Sequence, residues 1–391
     1  MTTIAFIING DRESAMGHRA RALSAHLRER YDIRFAYREG NKVAALIRFF
    51  GFLWRVRPQA AYVFDMSYSG VLGAWLYRLL SGCSLIVETG DAIYELMRST
   101  ATRGPLGLLL TRWFEKFSLH MATHIVVRGS FHREWLSHMG VAADVIQDGV
   151  ETEVFTPLKV DDLRREHGLD KVLTVGLVGS SVWSEKLGMC YGWELVEMMR
   201  RFKHAPVKGV IIGHGSGVAR LKARCREYGI EDQVLFLGYV PFEQLPRYLN
   251  LIDVCLSTQT NDLAGRVRTT GKLPLYLATG RYVLASEVGE AALVLDREML
   301  LKYEGVKDEQ YPQRLAERVE SILADPKKLE RAEATNVALA KEFFEYAKLA
   351  QALGEVIESV LRLGENRKPT EGERPGQLDA TVMKTGPNVE R

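Results

Sequence analysis

The chain has 391 residues, 47% apolar and 26% charged, with a formal net charge of +3. That length exceeds one ordinary core, so two domains are expected. The small net charge, with Lys and Arg spread along the chain, argues against a nucleic-acid partner.

Cys83, Cys190, Cys225 and Cys255 are far apart and form no Cys-x-x-Cys pair, which disfavours zinc and a disulfide framework. The opening "MTTIAFIING" enters an apolar run with no basic region or small-residue cleavage site. No segment reaches the roughly 18 uncharged apolar residues of a membrane span. A cytoplasmic location is therefore expected.

In chain order, the apolar runs "TIAFIIN", "IRFAY", "AAYVFD", "SLIVET" and "THIVV" alternate with helical patterns near residues 17–29, 43–56, 70–80 and 105–121. A βα series of this kind implies a parallel sheet covered on both faces. The series pauses at "VIQDGVETEVFTPLKVDDLRREHGLDK", a Gly turn, a Pro and a polar helix, which reads as a linker. A second series follows: "VLTVGLVG", "VKGVIIG", "VLFLGY", "DVCLS" and "YVLAS". The fold class is α/β, two Rossmann-like, doubly wound parallel-sheet domains, with ligands expected at the carboxyl ends of the strands. The domains are placed at 1–155 and 156–345, with a C-terminal helix at 346–363 packing back toward the first domain. A polar tail from 364 to 391, rich in Pro and Gly, is expected to be disordered.

The segment "IIGHGSGVARLKARCREYGIEDQVLFLGYV" ends a strand in Gly213, Gly215 and Gly217 ahead of an amphipathic helix. Glycines here either let the backbone approach a phosphate or serve tight packing. Together with "DGVETEVFTP", "VGLVGSSVWSEK" and "YLATGRYVLAS", this arrangement resembles the GT-B glycosyltransferases, particularly the retaining enzymes of family 4. The resemblance covers roughly residues 145–295, and the N-terminal half more loosely. It implies two domains facing a cleft, with an acceptor-side first domain and a nucleotide-sugar donor on the second. It also implies transfer to the hydroxyl of a glycan, lipid-linked or small-molecule acceptor, with retention and without a metal.

Carried over by position, Lys186 matches the basic residue that grips the donor diphosphate; the other reading is an exposed loop lysine. The family's two glutamates, separated by seven residues, fall on Val267 and Leu275, so both acids are missing. The stretch "GRVRTTGK" stands there instead, and Arg266, Arg268, Thr269, Thr270, Gly271 and Lys272 make an anion-seeking helix start. Its bland counterpart leaves Arg266 and Arg268 solvated.

In the first domain, "NGDRESAMGHRARALSAHL" suggests a loop and a helix entered at Gly17, and Gly10, Gly17 and His18 loosely match a Gly-rich loop that the family holds near the donor. His18 either caps and packs or touches substrate. "IVETGDAIYELM" puts Glu88 and Asp91 at the end of the fourth strand. Asp91 stands where the family often has a histidine; it either orients a sugar hydroxyl or receives the acceptor proton, or it is the N-cap of the helix that follows.

The helix in "NKVAALIRFFGFLWRVR" either covers the sheet or lies on an anionic membrane as a peripheral contact. Beside the transferase stand two alternatives: a catalytically inactive nucleotide-sugar-binding protein, favoured by the missing acids, and a sugar-nucleotide epimerase. An NAD-dependent oxidoreductase is disfavoured, because Gly-x-Gly-x-x-Gly is absent from the first βα turn of either domain.

Overall fold

A computed structural model describes residues 1–100 and 103–365. The first half runs β1 (Thr2–Ile8), α1 (Ala15–Ala25), β2 (Tyr31–Tyr37), α2 (Lys42–Val56), β3 (Ala60–Phe64), α3 (Tyr68–Ser81), β4 (Ser84–Thr89), α4 (Ile93–Thr100), α5 (Pro105–Met121), β5 (His124–Val127), α6 (Ser130–His138) and β6 (Asp144–Val145). After α7 (Asp161–Glu166) come β7 (Leu173–Val178), α8 (Trp193–Met199), β8 (Val207–Ile212), α9 (Val218–Tyr228), β9 (Val234–Gly238), α10 (Leu245–Leu249), β10 (Val254–Ser257), α11 (Leu263–Val267), α12 (Lys272–Ala278), β11 (Tyr282–Ser286), α13 (Ala291–Val294) and β12 (Leu300–Leu301). The chain closes with α14 (Tyr311–Ala324), α15 (Lys327–Leu339) and α16 (Tyr346–Glu365).

Among the described residues the strands form two six-stranded parallel sheets, ordered β2-β1-β3-β4-β5-β6 and β12-β11-β10-β7-β8-β9. The two-residue strands β6 and β12 carry too short an apolar run to be read from sequence. Alternation along β1 shows why the first sheet needs cover on both sides. Ile4, Phe6 and Ile8 join Leu23 of α1 and Leu353 and Ile357 of α16 in one cluster. Ala5 and Ile7 face the other way, toward Phe49 and Leu53 of α2, Val71 of α3 and Phe114 of α5.

The chain crosses between the sheets twice, and the crossings pair. Val150 N–H donates to the Phe344 carbonyl at 2.8 Å, after a π-helical turn over Ala340–Phe344. Gly149 is required there, because a Cβ would lie 2.6 Å from the Tyr346 ring. Beyond the crossing, the Asn250 amide clamps the linker, accepting from Leu158 N–H and donating to the Thr156 carbonyl. Residues 366–391, where the sequence suggests disorder, lie outside the described residues, whereas Gly364 and Glu365 belong to α16.

Candidate functional site: the seam between the two sheets

The carboxyl ends of both sheets meet along a seam, and charged residues fill its first-domain side. Arg19 of α1 and Glu88 of β4 are fully buried and pair at 3.0 Å. Glu88 also accepts from Tyr62 Oη at 2.6 Å, and the Arg19 guanidinium donates to the carbonyls of Ile146 and Gln147. Arg128, at the end of β5, reaches Asp65 at 2.9 Å and Glu88 and Asp148 at 3.6 Å. Burial opposes charge on both arginines, but the surrounding carboxylates more than offset it and hold them protonated. Gly90 is needed because a Cβ would fall 2.1 Å from the Arg128 guanidinium. Asp65 adopts a left-handed φ of 65°, a strained conformation for a non-glycine residue, next to this network.

The second domain supplies loops built by close approach. Gly213 has φ 134°, and a Cβ on it would sit 2.0 Å from the Gly179 carbonyl oxygen; at Gly215 a Cβ would meet the Ser181 oxygen at 2.4 Å. Their neighbours pair with the loop after β7: Ser181 N–H donates to the His214 carbonyl, and Gly217 N–H to that of Ser181. The glycines thus first serve the stacking of two backbone loops at the ends of β7 and β8. Gly213→Ala combines a disfavoured φ with a backbone clash and is expected to cost about 2–4 kcal/mol. Urea unfolding of the variant checks this.

The six residues expected to share one anion site are distributed. Arg266 turns outward, donates to Asn261 at 2.7 Å, and lines an open groove of about 830 Å³ with Phe131, Arg133, Glu287 and Leu293. Arg268 crosses to the first domain and donates to Asp91 at 2.8 Å. Thr269 donates to Asp148 at 2.9 Å, and the Thr270 hydroxyl lies 3.4 Å from that of Ser257. Gly271 precedes α12 with φ −56°, a conformation open to any residue.

Lys272, the first residue of α12, keeps its ammonium 3.6 Å from the centre of the Tyr191 ring and against Gly179, where a Cβ would be 3.2 Å away. Burial pushes its pKa down to about 7; Arg268 acts in the same direction and Glu194 against it. Glu194 is buried, accepts from Tyr303 Oη at 3.3 Å, and is itself pushed up to about 7 by burial.

Lys186 is exposed on its loop, and its ammonium donates to the carbonyls of Arg98 and Ser99 at the last turn of α4. A cation is favoured at a helix C-terminus, so in this arrangement Lys186 is a contact between domains. The Ser99 hydroxyl reinforces it by donating to Asp262 at 2.7 Å.

His18 stacks on Phe242 of the second domain with ring centres 4.1 Å apart; burial and Arg21 lower its pKa. The helix holding it begins at Ala15, two residues before the expected entry at Gly17. Ser14 caps it by accepting from Gly17 N–H, and Gly17 has no room for a Cβ because the Arg12 carbonyl would be 2.3 Å away. The N-cap role open to Asp91 is filled by Glu115 of α5, whose carboxylate accepts from Ile93 N–H at 2.5 Å and Tyr94 N–H at 3.3 Å. Asp91 is thereby left to face Arg268.

The structure adds residues that the sequence did not single out. Glu290, buried after β11, accepts from Gln147 at 2.8 Å and from Ser130 N–H, tying the domains together. His132 of α6 is buried with no partner at Nδ1; burial pushes its pKa down to about 4, with Asp91 and Arg128 as charged neighbours. A His in an amphipathic helix gives no sequence signal of this position, because only the tertiary contact brings it to the seam. Arg128, Asp148, Thr269, Thr270 and Glu290 line a cavity of about 10 Å³, smaller than any ligand.

Residues 172–325 match the family model described as glycosyl transferases group 1, so the second domain is a group 1 glycosyltransferase domain. No curated protein matches the chain in sequence. Among solved structures, sucrose-phosphate synthase from Thermosynechococcus elongatus is 16% identical with a TM-score of 0.73, over 93% of this chain and 100% of that one. Anabaena HepE in complex with UDP-glucose is 14% identical with a TM-score of 0.72, over 92% and 100%. The lipopolysaccharide outer core galactosyltransferase WaaB in its apo form is 14% identical with a TM-score of 0.58, over 92% and 99%. The architecture is that of GT-B, with its two α/β domains meeting at a cleft.

Proposed function

We propose that the protein transfers a sugar from a nucleotide-sugar to an acceptor hydroxyl, with the donor held on the second domain. The observation that carries this reading is the group 1 match, which spans the strand ends and loops from β7 to β11 and includes Lys272, its ammonium against the Tyr191 ring. Departure of a nucleoside diphosphate develops negative charge on the leaving group, and a fixed cation in a water-poor cleft stabilises it better than solvent does.

In this reading Lys272 and Arg268 take the diphosphate. Arg268 exchanges its bond to Asp91 for one to phosphate, and the released Asp91 orients a hydroxyl of the sugar or receives the acceptor proton. His18 on Phe242 and Lys186 on α4 are contacts that hold the two domains together and must allow the donor to enter. Catalysis without a metal belongs to the same proposal, because protein cations supply the charge that a metal would otherwise provide; retention of configuration is proposed from the family resemblance alone.

HepE is crystallised with UDP-glucose, which makes UDP the first diphosphate to test. The test is thermal unfolding of the purified chain with UDP, GDP, ADP and TDP and their sugar conjugates, without added metal. At 100 times its dissociation constant a ligand adds about 2.7 kcal/mol, a shift of several degrees. No shift with any of them would remove the donor site.

One observation favours a second reading, a donor-binding protein without transfer. Val267 is fully buried in α11 and Leu275 packs on the second core, so neither position presents an acceptor to a sugar or ribose hydroxyl. Donor hydrolysis that accompanies the thermal shift would decide for the enzyme.

A further inference from the structure

The layer α2, α3 and α5 covers one face of the first sheet, and its outer side is apolar. Val43, Ile47 and Trp54 of α2, Leu76, Leu79 and Leu80 of α3, and Leu106, Leu109, Leu110 and Trp113 of α5 are all exposed; Val43, Leu80 and Leu106 are at 73%, 69% and 70%. The helices form one continuous layer: Gly73 of α3 packs against the Leu46 carbonyl of α2, and Trp75 of α3 meets Phe117 of α5 edge-on at 5.1 Å, with Trp113 stacked on the same ring. Helices that cover a sheet require one apolar face; these carry a second one, in the water. Ten large side chains over three adjacent helices exceed the scattered exposure of an ordinary surface.

Charge selects the occupant. The only acid on these three helices is Glu115, which is buried beneath α4. Lys42, Arg48, Arg55, Arg57, Arg112 and Lys116 are exposed on or at the ends of the same helices. Glu39, paired with Arg48, stands at the rim. A second copy docked face to face would bring these cations against each other, whereas an anionic lipid surface offers both an apolar interior and compensating charge. Tryptophans suit the boundary between the two. Among the described residues no helix is long and apolar enough to cross a membrane, so the contact is a surface one.

We propose that the α2–α3–α5 face docks the protein on an anionic lipid bilayer. Each of these helices precedes a strand of the parallel sheet and so begins at the carboxyl edge. Val43 and Leu106, in the first turns of α2 and α5, therefore lie on the side where the domains meet. If the transferase reading holds, this presents the cleft to an acceptor carried on a lipid; the docking itself does not rest on that reading.

The test is co-sedimentation of the full chain with vesicles of phosphatidylcholine alone and of phosphatidylcholine mixed equally with phosphatidylglycerol. Binding to the anionic vesicles is expected to be about tenfold stronger and to weaken with salt. The variant Ile47→Asp/Leu79→Asp/Leu109→Asp changes one exposed residue on each helix and is expected to keep its unfolding temperature while losing about tenfold in vesicle binding. Arg55→Glu/Lys116→Glu, a second variant that leaves the apolar surface intact, is expected to lose the preference for anionic lipid. Failure to bind either vesicle, or equal binding by the aspartate variant, would overturn the proposal. So would a dimer that the aspartate variant dissociates, seen without vesicle binding. Diphosphate affinity measured without vesicles reads the donor site separately, so failure of one proposal leaves the other standing.

Discussion

Arg19→Met is expected to lower the free energy of unfolding by about 3–5 kcal/mol, the usual penalty for removing one partner of a buried ion pair. Met fills most of the volume but returns none of the hydrogen bonds. Glu88, fully buried, loses its partner at 3.0 Å and keeps Tyr62 and the more distant Arg128. The carbonyls of Ile146 and Gln147 also lose their donor. Because that segment leads into the linker, the loss falls on the path between the domains. The double variant Arg19→Met/Glu88→Met removes the stranded charge and should be more stable than Arg19→Met alone, although the linker carbonyls stay unpaired. Urea unfolding of both variants checks the order. If Arg19→Met unfolds within about 1 kcal/mol of the parent protein, the network is not structural, and its charges would have to be explained by ligand binding alone.

What could be read from the sequence follows from what determines each feature. Strands such as β1 and β7 are buried on both faces, so their apolar runs are continuous and easily read. Between the two series a Gly turn, a Pro and a polar helix break the βα rhythm, and the helix α7 stands there. The seam was harder. Arg268 and Lys272 look alike as basic residues on one helix start, yet one bonds to Asp91 across the domains and the other lies over the ring of Tyr191, a residue 81 positions away in the chain. Asp91 has the composition of an N-cap, but Glu115 reaches those amides from the next helix, a competition that no local pattern encodes. Glu290 and His132 were not singled out for the same reason: each acquires its surroundings only when two sheets, far apart in sequence, bring their strand ends together. The exposed side of α2 shows the same limit. Its basic, apolar pattern left sheet cover and membrane contact both open, and only the neighbouring α3 and α5 show that the outer apolar surface continues past one helix.

Lys272→Ala is expected to weaken binding of the nucleoside diphosphate by about 10- to 100-fold at pH 7, since a hydrogen bond to a charged group contributes about 1.5–3 kcal/mol. The ammonium is held down to about 7 by burial, with Arg268 adding to the effect. A bound diphosphate favours the protonated form, so its pKa rises on binding and the complex takes up a proton. The sign of the pH dependence follows: the Lys272 contribution is full below about pH 7 and declines as pH rises, by up to about tenfold per unit. Titration calorimetry at about pH 8, in two buffers of different ionisation enthalpy, should therefore report proton uptake in the parent protein and none from this group in Lys272→Ala. Lys272→Arg separates charge from position, because a guanidinium stays protonated throughout and should flatten the pH profile if it fits against Tyr191. Diphosphate affinity equal in Lys272→Ala and the parent protein would show that the lysine only packs against its ring, and the anion would have to be held by Arg268 and Thr270.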